Sequence, residues 1–246
     1  MGREERLVEV GKAGENPHYL TNMRGLDFYD PDSSEQPKIT IIGVGGIGSW
    51  AALALAKMGI KNIVLMDYDV VKAHNVGCTT YRKEDIGKLK VQAMKESLMG
   101  IVSNLDARPV KFIPTFSLHG LVISCVDSMA TRKEIFEVAT RANFLIDCRI
   151  GGELIRLFTC NPRSRASRKL YEKTLYTDEN SVNLPCTGQN IAYVGLMAGA
   201  MITKEVQFYC GTHIAQTKEI IFNIAYPRLD CFLEYPEERT QHEDNY

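Results

Sequence analysis

Three things are scarce in this chain of 246 residues, and each scarcity closes off a class of function. Charge of one sign is not in excess: 29 basic residues stand against 30 acidic ones, so no nucleic-acid or membrane partner is implied by charge. Long apolar runs are missing as well. No stretch approaches the roughly 20 apolar residues that a bilayer-crossing helix needs, and the opening MGREERLVEVGKAGENPHYL lacks the apolar centre of a signal peptide, so a cytoplasmic protein is expected. Paired cysteines are the third absence. Seven cysteines, an odd number, include no CxxC, which argues against a disulfide framework and against a structural zinc site built from cysteine pairs. With 45% hydrophobic residues, the chain can bury a large core, and one α/β domain with an extension is expected rather than two independent units.

What is present begins with the stretch Lys38 to Asp69. A short apolar run, Ile39 to Ile42, leads into Gly43-Val44-Gly45-Gly46-Ile47-Gly48, followed by an Ala/Leu-rich segment and a second apolar run, Ile63 to Met66, that closes on Asp67. The pattern reads as strand, turn, helix, strand. Gly43 permits the tight turn, Gly45 lets the backbone approach a phosphate, and Gly48 lets helix and strand pack closely. Amides at the start of the helix would then face an anion. Asp67 follows about twenty residues after the last glycine, where a carboxylate can accept hydrogen bonds from ribose hydroxyls. A nucleotide site is the reading, with a ligand-free glycine turn as its structural alternative.

Along the rest of the chain, residues 1–37 are polar and interrupted by Pro17, Pro31 and Pro37, and read as an arm. Residues 38–150 form the nucleotide half. In it HNVGCTTYRKEDIG is loop-like, and Lys88 to Met99 carries Val91, Met94 and Leu98 at helical spacing. Pro109 to Ile113, Leu121 to Val126 and Phe144 to Cys148 are expected as buried strands, with Ser128 capping a helix through about Ala142. That alternation predicts an α/β fold with a doubly wound, mainly parallel sheet. Residues 151–246 form the acceptor half. There ELIRLFTC alternates like an antiparallel strand, Asn161 to Asn190 is polar, Gln189 to Gln207 is an apolar helix with small residues, and KEIIFNIAY is a last strand before an acidic, frayed tail.

Taken together, GVGGIGSW, LMDYD, His74-Asn75, DIGKLK (85–90) and CVDSMATR (125–132) resemble the E1-like adenylating family typified by ThiF, MoeB and HesA. The resemblance covers most of residues 24–207 in the family's order and spacing. It implies a Rossmann-like E1-type adenylation fold that binds ATP with Mg²⁺, and a substrate carboxylate that attacks the α-phosphate to give an acyl adenylate and pyrophosphate. That carboxylate is commonly the C-terminal glycine of a ubiquitin-like protein. Gly43, Gly45, Gly46 and Gly48 are then the phosphate turn, Asp67 the ribose-binding acid and Asp69 a neighbouring acid or a solvated turn residue. Asn75 matches the family's loop asparagine, Lys90 its phosphate-contacting lysine and Asp127 its magnesium ligand, a hard oxygen of the kind Mg²⁺ requires. Lys88, close by, reads as a surface lysine.

The same resemblance implies a homodimer in which Arg24, on the arm, serves the partner's site, although Arg24-Gly25 departs from the usual Arg-Gln pair. Cys78 is a second departure, standing where the family often has Arg or Gln, with Arg82 in the same loop able to compensate. In NLPCTGQNIAYVGLMAGAMI, Cys186 resembles the cysteine that can take the acyl group, and a nearby helix N-terminus would favour its thiolate; a buried structural cysteine is the competing reading. The other six cysteines read as packing residues. Arg163, Arg165, Arg168, Lys169 and Lys173 form either a channel for a partner's tail or a solvated basic loop. The expected partner is a ubiquitin-like protein or peptide with a free C-terminal carboxylate, with no membrane and no nucleic acid. A nonenzymatic nucleotide-binding scaffold, the inactive half of a heterodimer, is the alternative from another class. An NAD-dependent oxidoreductase is the alternative at the level of fold.

Overall fold

The computed structural model describes residues 36–176, 191–226 and 228–233. One eight-stranded sheet organises them. Its strands are β1 (Ile39–Ile42), β2 (Asn62–Met66), β3 (Asn104–Arg108), β4 (Gly120–Ser124), β5 (Ala142–Gly151), β6 (Leu154–Cys160), β7 (Lys218–Asn223) and β8 (Arg228–Leu233). They lie in the order β3-β2-β1-β4-β5-β6-β7-β8. The first five run parallel and the last three antiparallel. The helices are α1 (Gly48–Met58), α2 (Lys90–Ser97), α3 (Met129–Val138), α4 (Arg165–Glu172) and α5 (Ala192–Thr212). No helix among the described residues is long and apolar enough to cross a membrane.

The apolar runs become strands buried on both faces, because successive side chains of a strand point to opposite sides. Ile39 and Ile41 of β1, with Ile63 and Leu65 of β2, join a core that includes Ala51 and Leu55 of α1, Met94 of α2 and Ala198 and Ile202 of α5. Ile42, Val64 and Met66 face the other way, into a core with Phe136 of α3, Phe158 of β6 and Tyr171 of α4. Helix α1 stops at Gly59, whose φ of 97° is left-handed and whose N–H returns to the Ala56 carbonyl, the common glycine stop of a helix. The strand order reverses between β1 and β4, and the crevice at the carboxyl ends of such strands is where open α/β sheets bind ligands.

Four expectations are corrected or refined. The third strand is Asn104–Arg108, not Pro109 to Ile113. Pro109 has no N–H for the ladder, and the apolar character of its segment has another cause: Phe112 is buried in a loop against the second core. The polar segment after Asn161 contains a helix, α4, started by Ser164, whose Oγ accepts from the Ser167 N–H. After Tyr226 the chain is not all tail, because β8 pairs antiparallel with β7. The apolar helix starts at Ala192 and reaches Thr212, longer than its small-residue core.

Candidate active site

The glycine turn sits where three strands end together. Ile42 is in register with Met66 on one side and Ser124 on the other, so Gly43, Asp67 and Cys125 all leave the sheet at one edge. Gly43 has a φ of +86°, and a side-chain carbon there would meet the Cys125 carbonyl oxygen at 2.7 Å. A Cβ at Gly48 would lie 1.9 Å from the Gly43 carbonyl oxygen, so only glycine closes this turn onto its own helix. Gly45 differs: a Cβ there would meet nothing within 4 Å, and its backbone faces open space. Helix α1 begins without a side-chain cap and without an acidic residue in its first turn. Uncapped amides and the positive end of the helix dipole therefore lie beside open space, an arrangement suited to phosphate.

Asp67 fixes the turn from the neighbouring strand. Its Oδ2 accepts the Val44 N–H at 2.8 Å and its Oδ1 the Asp69 N–H at 2.9 Å. A carboxylate has about four acceptor positions, so Asp67 can hold the turn and still receive sugar hydroxyls. Lys90, in the first turn of α2, brings its Nζ to 2.8 Å from Asp69 Oδ2 and 4.0 Å from Asp67 Oδ2. The Lys90 N–H also donates to the Asp69 carbonyl at 2.9 Å, so backbone and side chain both tie it to this edge. The Lys90 side chain is 11% exposed against 47% for Asp69. Lys88 behaves otherwise, pairing with Asp85 and Glu96 at the surface. The sheltered lysine is the one assigned to phosphate, and it has Asp69 as its anion here.

Asn75 ends a short 3₁₀ turn, Ala73–Asn75. Its Oδ1 accepts the Lys72 N–H at 2.8 Å, and its carbonyl accepts from the Thr79 hydroxyl at 2.7 Å. The turn-forming role of this residue is thus visible, and its side-chain NH₂ is a separate donor. At the end of β4, Ser128 Oγ accepts the Thr131 N–H and caps α3. Asp127, one residue earlier, is exposed at the same sheet edge as the glycine turn. Among the described residues no group of three or more His, Cys, Asp or Glu side chains is gathered as a metal site. One exposed carboxylate at the same sheet edge as the glycine turn fits Mg²⁺, which takes one or two carboxylates and draws its other ligands from substrate phosphates and water.

Cys78 is buried, and burial pushes its thiol up, with Lys90 acting weakly in the opposite sense. Its Sγ lies 3.6 Å and 3.5 Å from the His74 and Asn75 carbonyl oxygens, so it packs inside the loop. Arg82 pairs with Glu84 at 2.8 Å on the surface. Burial likewise raises Cys125 to about 12 and Cys160 to about 11, as expected of unreactive packing thiols. Cys148 is buried too, and Cys210 packs partly buried against the first core. Cys231 is the exception: it is exposed on β8. Arg168 stacks on the Phe136 ring at 4.1 Å and donates to its carbonyl, while Arg163 bonds Arg141 and Asn143. These two arginines brace α4, and Arg165, Lys169 and Lys173 are exposed. Arg24 and Cys186 lie outside the described residues.

Two groups of residues were not foreseen. Tyr81, a lone aromatic in a polar loop, is buried, and its hydroxyl donates toward the carbonyls of Val44 at 2.6 Å and Lys90 at 3.2 Å. Beneath the Asp127 loop, Arg132 of α3 contacts Asp147 and the Val126 carbonyl, and Arg149 donates to Asp147 at 2.7 Å. Burial would raise the Asp147 pKa, but the two guanidiniums prevail and hold it below the usual carboxylate range. The sequence signal was Arg132 itself, on the same helical face as the apolar Ile135 and Phe136.

A model of the ThiF family matches residues 30–245. Molybdopterin-synthase adenylyltransferase of Escherichia coli is 28% identical over 121 residues, 46% of this chain and 49% of that protein. Ubiquitin-like modifier-activating enzyme 5 of Rattus norvegicus is 28% identical over 204 residues, 69% of this chain and 49% of that protein. The chain spans about half the length of these curated relatives. Among solved structures, E. coli MccB with AMPCPP and selenomethionine MccA shares the fold, with a TM-score of 0.69 at 16% identity over 92% of this chain and 73% of that one. With the glycine turn, Asp67 and Lys90 assembled at the switch of an α/β sheet and the family model matched over most of its length, the chain belongs to the ThiF family.

Proposed function

We propose that the protein uses ATP to adenylate the C-terminal carboxylate of a ubiquitin-like protein or peptide. The observation that carries this reading is the position of Lys90, whose sheltered ammonium lies between Asp67 and Asp69 beside the glycine turn. An NAD-dependent dehydrogenase, which needs only the acid for the ribose hydroxyl, has no use for a cation there. Adenylation does: a carboxylate oxygen bonds to the α-phosphorus, the bond to the β-phosphate oxygen breaks, and negative charge grows on the nonbridging and leaving oxygens. Fixed positive charge and helix amides aimed at those oxygens lower the barrier. Asp67 orients the ribose, Asn75 adds an amide donor, and Lys90 exchanges Asp69 for a phosphate. Mg²⁺ held by Asp127 would supply further charge neutralisation.

On this reading residues 38–150 hold the nucleotide and residues 151–246 receive the carboxylate partner. Arg24 reaches the site of the other subunit in a homodimer, and Cys186 takes the acyl group after adenylation. One observation favours a second reading. Cys78 is sealed in the loop and Arg82 is turned to Glu84, so neither supplies the charge that the resemblance leads one to expect in this loop, as would suit a nucleotide-binding scaffold paired with an active partner. Thermal unfolding with added nucleotide tests the common ground. ATP with Mg²⁺ at 100 times its Kd should stabilise the protein by about 2.7 kcal/mol, while NAD should not. Stabilisation by NAD alone would overturn both readings.

A further inference from the structure

The residues assigned to ATP come from separate segments: the glycine turn after β1, Asp67 after β2, the Asn75 turn, and Lys90 at the head of α2. Their alignment needs a physical link. One buried side chain supplies most of it. Tyr81 is 4% exposed, and its hydroxyl sits 2.6 Å from the Val44 carbonyl and 3.2 Å from the Lys90 carbonyl. The Val44 N–H is in turn the group held by Asp67. On its other side, the Tyr81 N–H donates to Thr79 Oγ1 at 3.2 Å, and that hydroxyl donates to the Asn75 carbonyl at 2.7 Å. The chain Asp67, Val44, Tyr81 and Lys90, with the branch through Thr79 to Asn75, passes through each of these four segments.

Neighbouring contacts fasten the same loop to the helix that begins at the turn. The indole N–H of Trp50 donates to the Cys78 carbonyl at 3.2 Å, and the Thr80 N–H donates to Ser49 Oγ at 3.4 Å. Ser49 and Trp50 belong to the first turn of α1, so these hydrogen bonds tie the loop carrying Tyr81 to the helix start whose amides are assigned to phosphate. The tyrosine hydroxyl hydrogen-bonds to the backbone of both the glycine turn and α2.

We propose that Tyr81 is a positioning residue for the nucleotide site, holding the glycine turn and Lys90 at a fixed separation before the nucleotide arrives. The proposal rests on the ATP reading given above. A preset spacing matters because phosphates must meet the turn amides and the lysine together, and geometry set in advance removes an ordering cost from binding. Burial, with Asp67 and Asp85 adding to it, pushes the phenol well above its ordinary range, so the hydroxyl stays protonated and remains a donor.

The test is isothermal titration of the full chain with ATP and Mg²⁺, alongside thermal melting, for the wild type and three variants. Tyr81→Phe keeps the ring and removes only the hydroxyl. Tyr209→Phe alters a tyrosine of similar burial, stacked on Phe144 at 5.4 Å and distant in the sequence from every segment of the chain of contacts. Thr79→Val cuts the branch to Asn75 and serves if Tyr81→Phe does not fold. Tyr81→Phe should raise the ATP Kd about tenfold, the scale of one buried hydrogen bond. Thr79→Val should weaken binding in the same direction, and Tyr209→Phe should leave the Kd within about twofold whatever its melting temperature. Lower melting temperature with unchanged ATP affinity in both Tyr81→Phe and Thr79→Val would make the network merely structural and overturn the proposal. A wild type that does not bind ATP with Mg²⁺ would instead overturn the ATP reading, and the proposal with it.

Discussion

The pair Lys88 and Lys90 shows what a single residue reveals in sequence and what it does not. Both stand in DIGKLK and either could be a surface lysine; burial and the contacts with Asp67 and Asp69 separate them in the fold. Such a distinction depends on where β2 ends relative to α2, which no local pattern encodes. The Asp147 cluster is hidden for the same reason. Its members, Arg132, Asp147 and Arg149, come from α3 and β5 and become a buried network only when the two elements pack. Because the folded pKa of Asp147 is depressed, its contribution to stability is fully present above the unfolded value, about 3.9, and is lost as pH falls below it toward the folded pKa. Asp147→Asn leaves two guanidiniums without their anion and should destabilise the fold by about 3–5 kcal/mol at neutral pH. Urea midpoints measured from pH 7 down to pH 2 should show a shallower acid limb in the variant than in the wild type, and parallel limbs would refute this assignment.

Elements buried on both faces or bounded by glycine were legible: β1, α1, β2 and β4 follow directly from apolar runs and the turn between them. Elements whose pattern is set by a neighbour were not. Strand β3 is an edge strand with polar residues, and β8 exists because β7 offers it a ladder. Helix α5 was legible as apolar and small, but its purpose lies in packing. A Cβ at Gly195 would fall 2.2 Å from the Gly46 carbonyl oxygen and 2.7 Å from Trp50 Cδ1, and one at Gly199 would fall 2.9 Å from the Ala51 nitrogen. Helix α5 thus buttresses the glycine turn and the start of α1. Gly195→Ala should force the helices apart, destabilise by about 1–3 kcal/mol and weaken ATP binding. Gly211, on the same helix, has nothing within 4 Å of its would-be Cβ, so Gly211→Ala should be neutral or stabilise by up to about 1 kcal/mol. Equal effects at the two sites in chemical denaturation would contradict the buttress.

For the molecule as a whole, the doubly wound, mainly parallel sheet predicted from βα alternation is present, and the candidate site residues Gly43, Asp67, Lys90 and Asp127 arrive at one edge of the sheet because β1, β2 and β4 end in register, with Lys90 carried there by its contacts with Asp69. The catalytic account adds a partner subunit and an acyl acceptor. It is tested most directly by exchange of labelled pyrophosphate into ATP in the presence of Mg²⁺ and small proteins or peptides that end in glycine. The wild type should catalyse exchange with at least one of them, and Lys90→Ala should lose on the order of 10²-fold or more, as when a single charge-stabilising donor is removed. Cys186→Ser should exchange nearly as well as the wild type, and mixed dimers of Arg24→Ala and Lys90→Ala subunits should regain activity at the one site with both residues intact. A wild type that binds ATP and Mg²⁺ yet exchanges no pyrophosphate with any carboxylate partner would contradict adenylation and leave the scaffold reading in its place.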